Sequence, residues 1–385
     1  MLEGIIVLLI ALLVFSFTPF AGSLLLPAFF RIITLCSLVI FLTVITVTKK
    51  PLIYLTTLVI VGILSFIWWS EAQEAIPNIF YLFAFILFAL ALLYAEPRLP
   101  KLSFLLSRFL FFTVITTSVQ SILAFIVYNL DLLPFTTVNL GDLAFYIYAY
   151  NPFVGYIHPR EFGSAIIGRP MSYMFEPSYL GWFLATNFFL IDKYCKTKGF
   201  YPAFFKVIVF AGAMATFSTG VWIVFAIIFI LKGIDKISSL FNFKRKWINL
   251  LTILLLTSFA VLVFFIPKDK IANNLASSWG DRNVRMQMSL LILATSSTNQ
   301  LLLGHSPGFF DVKNETGKAE SNQYLRTIVE VGFIPTIVIV AFIIYCTRKN
   351  KYYMLANLLF LASVVILWTP LFIINILVCK WLDET

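Results

Sequence analysis

Long apolar runs recur from one end of this chain to the other, and they constrain its fold more than any other feature. A helix needs roughly 20 mainly apolar residues to cross the hydrocarbon core of a bilayer. The runs predict an all-α polytopic membrane protein of about twelve transmembrane helices. The candidate spans cover residues 3–19, 29–48, 51–69, 77–95, 109–130, 177–193, 203–216, 218–231, 248–266, 327–346, 352–368 and 370–381.

The composition excludes most other classes of protein. Of the 385 residues, 61% are hydrophobic and 12% are charged, whereas soluble domains carry roughly 25% charged residues. A soluble monomer of this length cannot bury that much apolar surface in one core. We therefore expect neither a soluble enzyme nor a disordered protein, but a single integral membrane domain over residues 1–385. The apolar start, Gly4 to Phe17, is interpreted as a retained first helix because it lacks the features of a cleavable signal peptide.

Basic residues allow the threading through the membrane to be checked. They cluster in short connections, and all of these clusters fit the cytoplasmic side if an even number of spans separates each pair of neighbours. This places both termini in the cytoplasm and splits residues 204–231 into two short spans at Ser218-Thr219-Gly220. The net charge of +10 is then mainly a topology signal with some attraction to anionic lipids, and it does not indicate nucleic acid as a partner.

Two connections on the predicted outer side are long, residues 131–176 and 267–326. Long ordered loops in compact proteins are usually functional, and both histidines of the chain, His158 and His305, lie in these two. We therefore expect the functional site at the outer, extracytoplasmic membrane interface rather than along a channel. The four cysteines, at positions 36, 195, 346 and 379, have no metal or redox spacing and are expected to be packing residues.

The first loop ends in a dense polar stretch with Arg160, Arg169 and Glu176. Arg169 either extends to lipid headgroups or binds phosphate through its planar set of donors. Glu176 precedes Pro177 and therefore marks a helix start, but its carboxylate is also available as a general base. An aromatic run upstream is typical of an interfacial belt, and it contains Phe145, Tyr146, Tyr148, Tyr150, Phe153 and Tyr156.

The second loop carries Arg282 and Arg285 immediately before an apolar stretch, Met286–Thr295. That stretch predicts a helix at the membrane surface with its arginines at headgroup level. His305 follows in a glycine-flanked turn, and Glu320 lies near the end of the loop. Beyond it, Glu330 lies inside a predicted span, where an ionisable residue indicates function by default.

These residues resemble a known family. The chain is similar to the Wzy-type O-antigen and polysaccharide polymerases and, more distantly, to the O-antigen ligases. Three segments carry the likeness: Arg169…Glu176-Pro-Ser-Tyr-Leu-Gly181, then Arg282/Arg285 followed by Leu-Gly304-His-Ser-Pro-Gly308-Phe-Phe, and Ser321-Asn322-Gln-Tyr-Leu…Glu330-Val-Gly. In ligases a histidine commonly precedes the asparagine of the third segment. Ser321 stands there in this chain, which favours a polymerase.

The resemblance implies a C-type glycosyltransferase-like fold and a metal-independent, inverting transfer from an undecaprenyl-diphosphate-linked glycan onto a second lipid-linked unit. It requires no cofactor, although a chain-length-regulating co-polymerase is a possible partner besides the membrane lipids. The candidate diphosphate-binding residues are Arg169, Arg285, Arg282 and Arg160. The candidate general bases are Glu176, Glu320 and His305.

Two alternatives remain open at this point. A ligase of the same fold would transfer a finished glycan onto lipid A core. A transporter or flippase of lipid-linked glycan would need polar residues within its spans, and these spans are nearly free of charge apart from Glu330.

Overall fold

A computed structural model describes residues 2–16, 86, 88–93, 99, 101–138, 148–162, 165–172, 174, 176–196, 201–240, 286–306, 309, 322–362, 367 and 369–383. This part of the chain is mostly helical, as predicted. The helices are α1 (Leu2–Ser16), α2 (Leu102–Asn129), α3 (Pro177–Phe188), α4 (Ile191–Lys196), α5 (Pro202–Ala215), α6 (Thr219–Leu240), α7 (Met286–Thr295), α8 (Thr298–Leu303), α9 (Gln323–Val331), α10 (Phe333–Thr347), α11 (Lys351–Leu361) and α12 (Pro370–Leu382).

Helix α2 has 28 residues and is, within the described ranges, the one helix that is long and apolar enough to cross a membrane. Helices α1, α5, α7, α10 and α12 are apolar but shorter. The expected number of about twelve spans is therefore not supported. The predicted spans 29–48, 51–69 and 248–266 lie outside the described residues, and of 77–95 only 86 and 88–93 are described.

The predicted break after α5 is confirmed. Helix α5 ends at Ala215 and α6 begins at Thr219, so the chain does not run through as one helix. Phe217, between them, has a φ of 46°, a left-handed conformation that a helix cannot contain. By contrast, the predicted span 327–346 is divided, because Gly332 has a φ of 92° and ends α9 before α10 begins.

The prediction of an all-α chain is wrong for the first long loop. Four strands, β1 (Thr136–Val138), β2 (Tyr148–Asn151), β3 (Gly155–Phe162) and β4 (Ala165–Ser172), form one antiparallel sheet in sequence order. Only three residues separate β2 from β3 and only two separate β3 from β4, so these neighbours in sequence can pair as antiparallel strands. Aromatic and β-branched residues in these segments favour a half-buried pleated surface.

One face of this sheet packs against α2. Ala149 and Ile157 contact Ala124 of the helix in a small apolar cluster. Asn129, the last residue of α2, holds β4 through two hydrogen bonds with the backbone of Gly168, with N···O distances of 2.9 and 3.2 Å. Because side chains alternate along a strand, the residues next to Ile157 and Gly168 in the sequence have their side chains on the opposite face of the sheet.

The main core joins α3, α11 and α12. Trp182 of α3 is buried and donates its Nε1 hydrogen to Oδ1 of Asn357 on α11 over 3.0 Å. Asn375 of α12 donates to Oγ1 of Thr186 on α3 over 3.3 Å. These bonds satisfy polar groups that would otherwise be costly to bury and fix the positions of three helices relative to one another.

Candidate functional site

The face of the sheet turned away from α2 carries the basic residues of the first loop. His158 on β3 is paired directly with Arg169 on β4, and the ring of Tyr148 on β2 lies 5.7 Å from the imidazole. Arg160, two residues beyond His158 on the same strand, has its side chain on the same face. The sheet therefore brings together a row of Tyr148, His158 and Arg169 with Arg160 beside it.

The charges of this basic face affect the pKa of His158. Burial first, and then the positive charges of Arg169 and Arg160, lower the pKa of His158 from 6.5 to about 4. The imidazole is therefore neutral at physiological pH. An anion bound at this face would offset the charges of both arginines and favour the protonated imidazole.

Arg169 lies deep in the fold, with only 7% of its surface exposed. Its Nε hydrogen is donated to the carbonyl oxygen of Thr216 over 3.3 Å. Thr216 is the C-cap of α5, and the carbonyls at a helix C-terminus favour a cation. The interpretation of Arg169 as a headgroup-exposed side chain is therefore wrong, because a residue that caps a buried helix end is not at a lipid surface.

Gly181 of α3 packs closely against the segment between α5 and α6. A Cβ atom at Gly181 would lie 2.5 Å from Cγ2 of Val221 and 3.0 Å from Oγ1 of Thr216, so no side chain fits there. Arg169 and Gly181, the two ends of the first family-like segment, thus converge on Thr216. This segment brings β4 and α3 together around the break.

The aromatic run of the first loop is only partly an exposed belt. Tyr148 and Tyr156 are 2% and 3% exposed and pack with Met171 on the basic face, and the ring centroids of Tyr150 and Tyr156 are 4.7 Å apart. Phe153, in contrast, is 81% exposed at the turn between β2 and β3. Phe145 and Tyr146 lie outside the described residues. The strand alternation places Tyr148, Tyr150 and Tyr156 on the basic face, where Tyr148 and Tyr156 are buried.

Glu176 is exposed at the N-cap of α3, with Pro177 in the first turn as predicted. Its side chain does not cap the helix. Instead, its Oε2 accepts a hydrogen bond from Oγ of Ser178 over 2.8 Å. The carboxylate therefore lies at a helix N-terminus, where its negative charge is favoured, and it remains accessible.

The predicted helix over Met286–Thr295 is present, and His305 lies beyond it, after α8. The backbone N–H of His305 donates to the carbonyl of Val329 over 2.8 Å. Its Nε2 is 2.7 Å from Oγ of Ser296, and that Oγ is also 2.6 Å from the carbonyl oxygen of Ile292. Which of the two groups, imidazole or hydroxyl, donates to the other depends on the tautomer of the imidazole. The bond holds the imidazole beside the C-terminal end of α7.

Residues of the third family-like segment stabilise the fold. Oδ1 of Asn322 accepts from the backbone N–H groups of Tyr324 and Leu325 and caps α9. Glu330 has a 3% exposed side chain, and its Oε1 accepts from Nε of Arg326 over 3.1 Å. The carboxylate that the sequence predicts within a span is therefore half of a buried ion pair.

Three of the predicted site residues lie outside the described residues: Arg282, Arg285 and Glu320. The expectation that Arg169 and Arg285 clamp one diphosphate thus stays a prediction. In the described ranges, no group of three or more histidine, cysteine, aspartate or glutamate side chains could hold a metal ion.

No family model, no curated protein and no solved structure matches this chain. The likeness to polysaccharide polymerases therefore stays a prediction from the sequence motifs.

His158 is not among the residues that the sequence predicts for the site, whereas Arg160 is, and the sheet places both beside Arg169. The signal that marks them is the alternation in Gly155–Phe162, where Tyr156, His158 and Arg160 occupy every second position. This period of two is typical of a strand with one polar face. A loop assignment hides it, because side chains in a loop have no fixed common face.

Proposed function

We propose that this chain is a multi-pass integral membrane glycosyltransferase that polymerises undecaprenyl-diphosphate-linked oligosaccharide units on the extracytoplasmic side of a bacterial cytoplasmic membrane. The observation that carries the proposal is the meeting of Arg160, Arg169 and His158 on one sheltered sheet face. Three basic groups in one place suit a diphosphate, because planar guanidinium donors match phosphate oxygens.

The length of α2 supports a site on one membrane surface. Its 28 residues span about 42 Å at a rise of about 1.5 Å each, against a hydrocarbon thickness of about 30 Å. The sheet is attached at Asn129, the C-terminal end. Near the N-terminal end, Phe111 packs against Tyr194 and Phe205 at ring distances of 5.5 and 5.3 Å.

The end of the bundle near Tyr194 collects residues that the charge pattern assigns to the cytoplasm. Lys193 is paired with Asp383, and Lys351 with Asp235 over 2.9 Å. Lys232 lies over the rings of Phe189 and Tyr352. Basic residues at the end away from the sheet agree with the positive-inside rule and with both termini in the cytoplasm.

Exposed apolar side chains support the proposal that lipid surrounds these helices. On α2, large apolar side chains are exposed at intervals from one end to the other, and α10 carries a similar surface. Such large exposed apolar surfaces are unfavourable in water and indicate contact with another apolar phase. The exposed residues are Phe104, Phe112, Val119, Leu123 and Ile126 on α2, and Phe333, Ile334, Ile337, Val338 and Ile344 on α10.

In the proposed reaction, Arg169 and Arg160 hold the diphosphate of the donor, with Arg285 and Arg282 of the second loop completing the clamp. The acceptor hydroxyl loses its proton to Glu176, with Glu320 or His305 as the other candidate bases. The acceptor oxygen displaces the diphosphate at the anomeric carbon and inverts that centre. Fixed positive charge where negative charge develops lowers the barrier. The reaction takes its energy from the diphosphate linkage, with no metal or nucleotide cofactor.

Alanine variants of the basic face test the proposal in cells. A strain lacking the gene is complemented with wild type, Arg160→Ala or Arg169→Ala, and the surface glycans are separated by gel electrophoresis. Arg108→Ala is the matched control, because Arg108 lies over the Phe104 ring at the far end of α2. Both test variants should lower elongation about 100-fold or more, whereas the control should give wild-type polymer at equal protein levels.

The same gels separate the competing functions. A ladder that collapses to one repeat unit in the deletion strain supports the polymerase. Long polymer that accumulates on its lipid carrier without reaching core lipid would instead indicate a ligase. Lipid-linked units trapped on the cytoplasmic side would indicate a transporter, and full-length polymer from both arginine variants would remove the diphosphate clamp.

A further inference from the structure

We propose that His158 is the proton donor to the departing diphosphate. This inference rests on the proposed transferase function and adds a catalytic residue to its site. It starts from the position of His158 between Arg169, its cross-strand partner, and Arg160, its neighbour on the same face of β3. A group bound by both arginines lies against the imidazole, because the three side chains share one sheet face within a few residues.

The surroundings of His158 determine when it carries a proton. The described groups that face it are Tyr148 from β2, Arg169 from β4 and Arg160 from its own strand. Burial and the positive charges of both arginines hold the pKa of His158 low. A bound diphosphate supplies negative charge at that point, and the imidazole then takes up a proton from water. His158 can therefore act as an acid only when the donor is bound.

Each bond, electron pair and proton in the proposed reaction has a defined destination. The bond between the anomeric carbon and the phosphate oxygen breaks, and its electron pair stays on that oxygen, which accepts the proton of His158. The acceptor oxygen forms the new bond to the anomeric carbon while its proton goes to Glu176. Water returns the proton from Glu176 to the imidazole when the next donor binds. Glu176 is exposed, so this return path is open to solvent.

Kinetics of reconstituted protein test the assignment. Lipid-linked single units purified from the deletion strain are supplied in liposomes, and kcat and KM are measured between pH 5 and pH 9. The wild-type kcat should fall at alkaline pH, because the imidazole of His158 loses its proton in the donor complex. His158→Gln keeps hydrogen-bonding capacity but cannot ionise, so kcat should drop about 100-fold, lose the alkaline fall and leave KM within about threefold. Tyr201→Phe, exposed and at the opposite end of α5 from Thr216, is the control and should behave as wild type.

A spectroscopic titration keeps the inference testable even if the variant folds poorly. The chain has two histidines, so ring NMR signals of wild type can be assigned with a His305→Gln variant. Undecaprenyl diphosphate in nanodiscs should raise the pKa of His158 from near 4 to about 6 or higher.

The outcomes separate the two proposals. An inactive wild type would refute the polymerase itself. An active wild type whose His158→Gln variant keeps both the rate and the alkaline fall would refute only the role of His158, as would a histidine titration that the diphosphate lipid leaves unchanged.

Discussion

The Nε hydrogen of Arg169 is donated to the carbonyl oxygen of Thr216 over 3.3 Å. This bond connects the fourth strand of the sheet with the C-terminus of α5, where Thr216 is 0% exposed. The same side chain thus closes a helix end and contributes charge to the basic face. A change at Arg169 is expected to affect both stability and ligand binding, so the two effects must be measured separately.

The geometry of this bond makes lysine a poor substitute. Arg169→Lys keeps the positive charge but lacks the planar fork that reaches Thr216, and a buried carbonyl left without a partner costs about 1–3 kcal/mol. Thermal unfolding in detergent, followed by tryptophan fluorescence, should show a lower midpoint for Arg169→Lys. Arg108→Lys, at an exposed site near the other end of α2, should change stability by less than about 0.5 kcal/mol. Equal midpoints for the two variants would contradict the capping role.

Two glycines at the ends of α8 and α9 pack against each other's backbone. Gly304 has a φ of 80° and Gly332 a φ of 92°. A Cβ at Gly304 would lie 2.3 Å from the carbonyl oxygen of Glu330, and one at Gly332 would lie 2.2 Å from that of Leu302. Gly304→Ala and Gly332→Ala should each lower the free energy of unfolding by about 2 kcal/mol or more. Gly233→Ala, within α6 and with nothing within 4 Å, should be neutral or stabilising.

The buried pair of Arg326 and Glu330 gives a test of whether Glu330 is structural. Arg326→Ala should destabilise the protein by about 3–5 kcal/mol, because the buried carboxylate of Glu330 loses the positive charge of Arg326. The double variant Arg326→Leu/Glu330→Leu should recover much of that loss, since it buries no charge. Measurement of all variants in one denaturation series isolates the coupling between the two residues. If Glu330→Gln instead abolishes glycan elongation at unchanged stability, the carboxylate has a functional role.

Acid should destabilise the protein partly through His158. The folded-state pKa of about 4 lies below the ordinary value of 6.5, so the unfolded chain binds the proton more readily. Stability from this group is complete above pH 6.5 and is lost as the pH falls toward 4, by at most about 3 kcal/mol. Unfolding midpoints of wild type and His158→Gln, compared between pH 7 and pH 4.5, should show a smaller acid loss for the variant. Parallel curves would mean that the imidazole is not held neutral by its surroundings.

Local signals in the sequence correctly predicted several elements. Pro177 marks the start of α3, because proline acts on the backbone of its own residue and its neighbours. The break predicted at Ser218-Thr219-Gly220 is present between Ala215 and Thr219, although its left-handed residue is Phe217. The helix over Met286–Thr295 follows from a continuous apolar run. These features depend on interactions within a few residues, so a single sequence contains them.

The sheet was not predicted, although its alternating pattern is present in Gly155–Phe162. Pairing of β3 with β4 depends on which strand lies opposite, and a one-residue change of register would turn His158 and Arg160 to the other face. The role of Asn129 in holding Gly168 likewise depends on a contact between residues 39 positions apart. Such long-range pairings have no local signature.

Composition and periodicity alone determined that this chain is apolar, mostly helical and polar in two long connections, because those properties depend on the residues themselves. Only the tertiary structure decided that Arg160, His158 and Arg169 share one face, that Arg169 also caps α5, and that Glu330 is paired with Arg326. Proximity of side chains depends on how strands register and helices pack, and these contacts form between segments far apart in the chain.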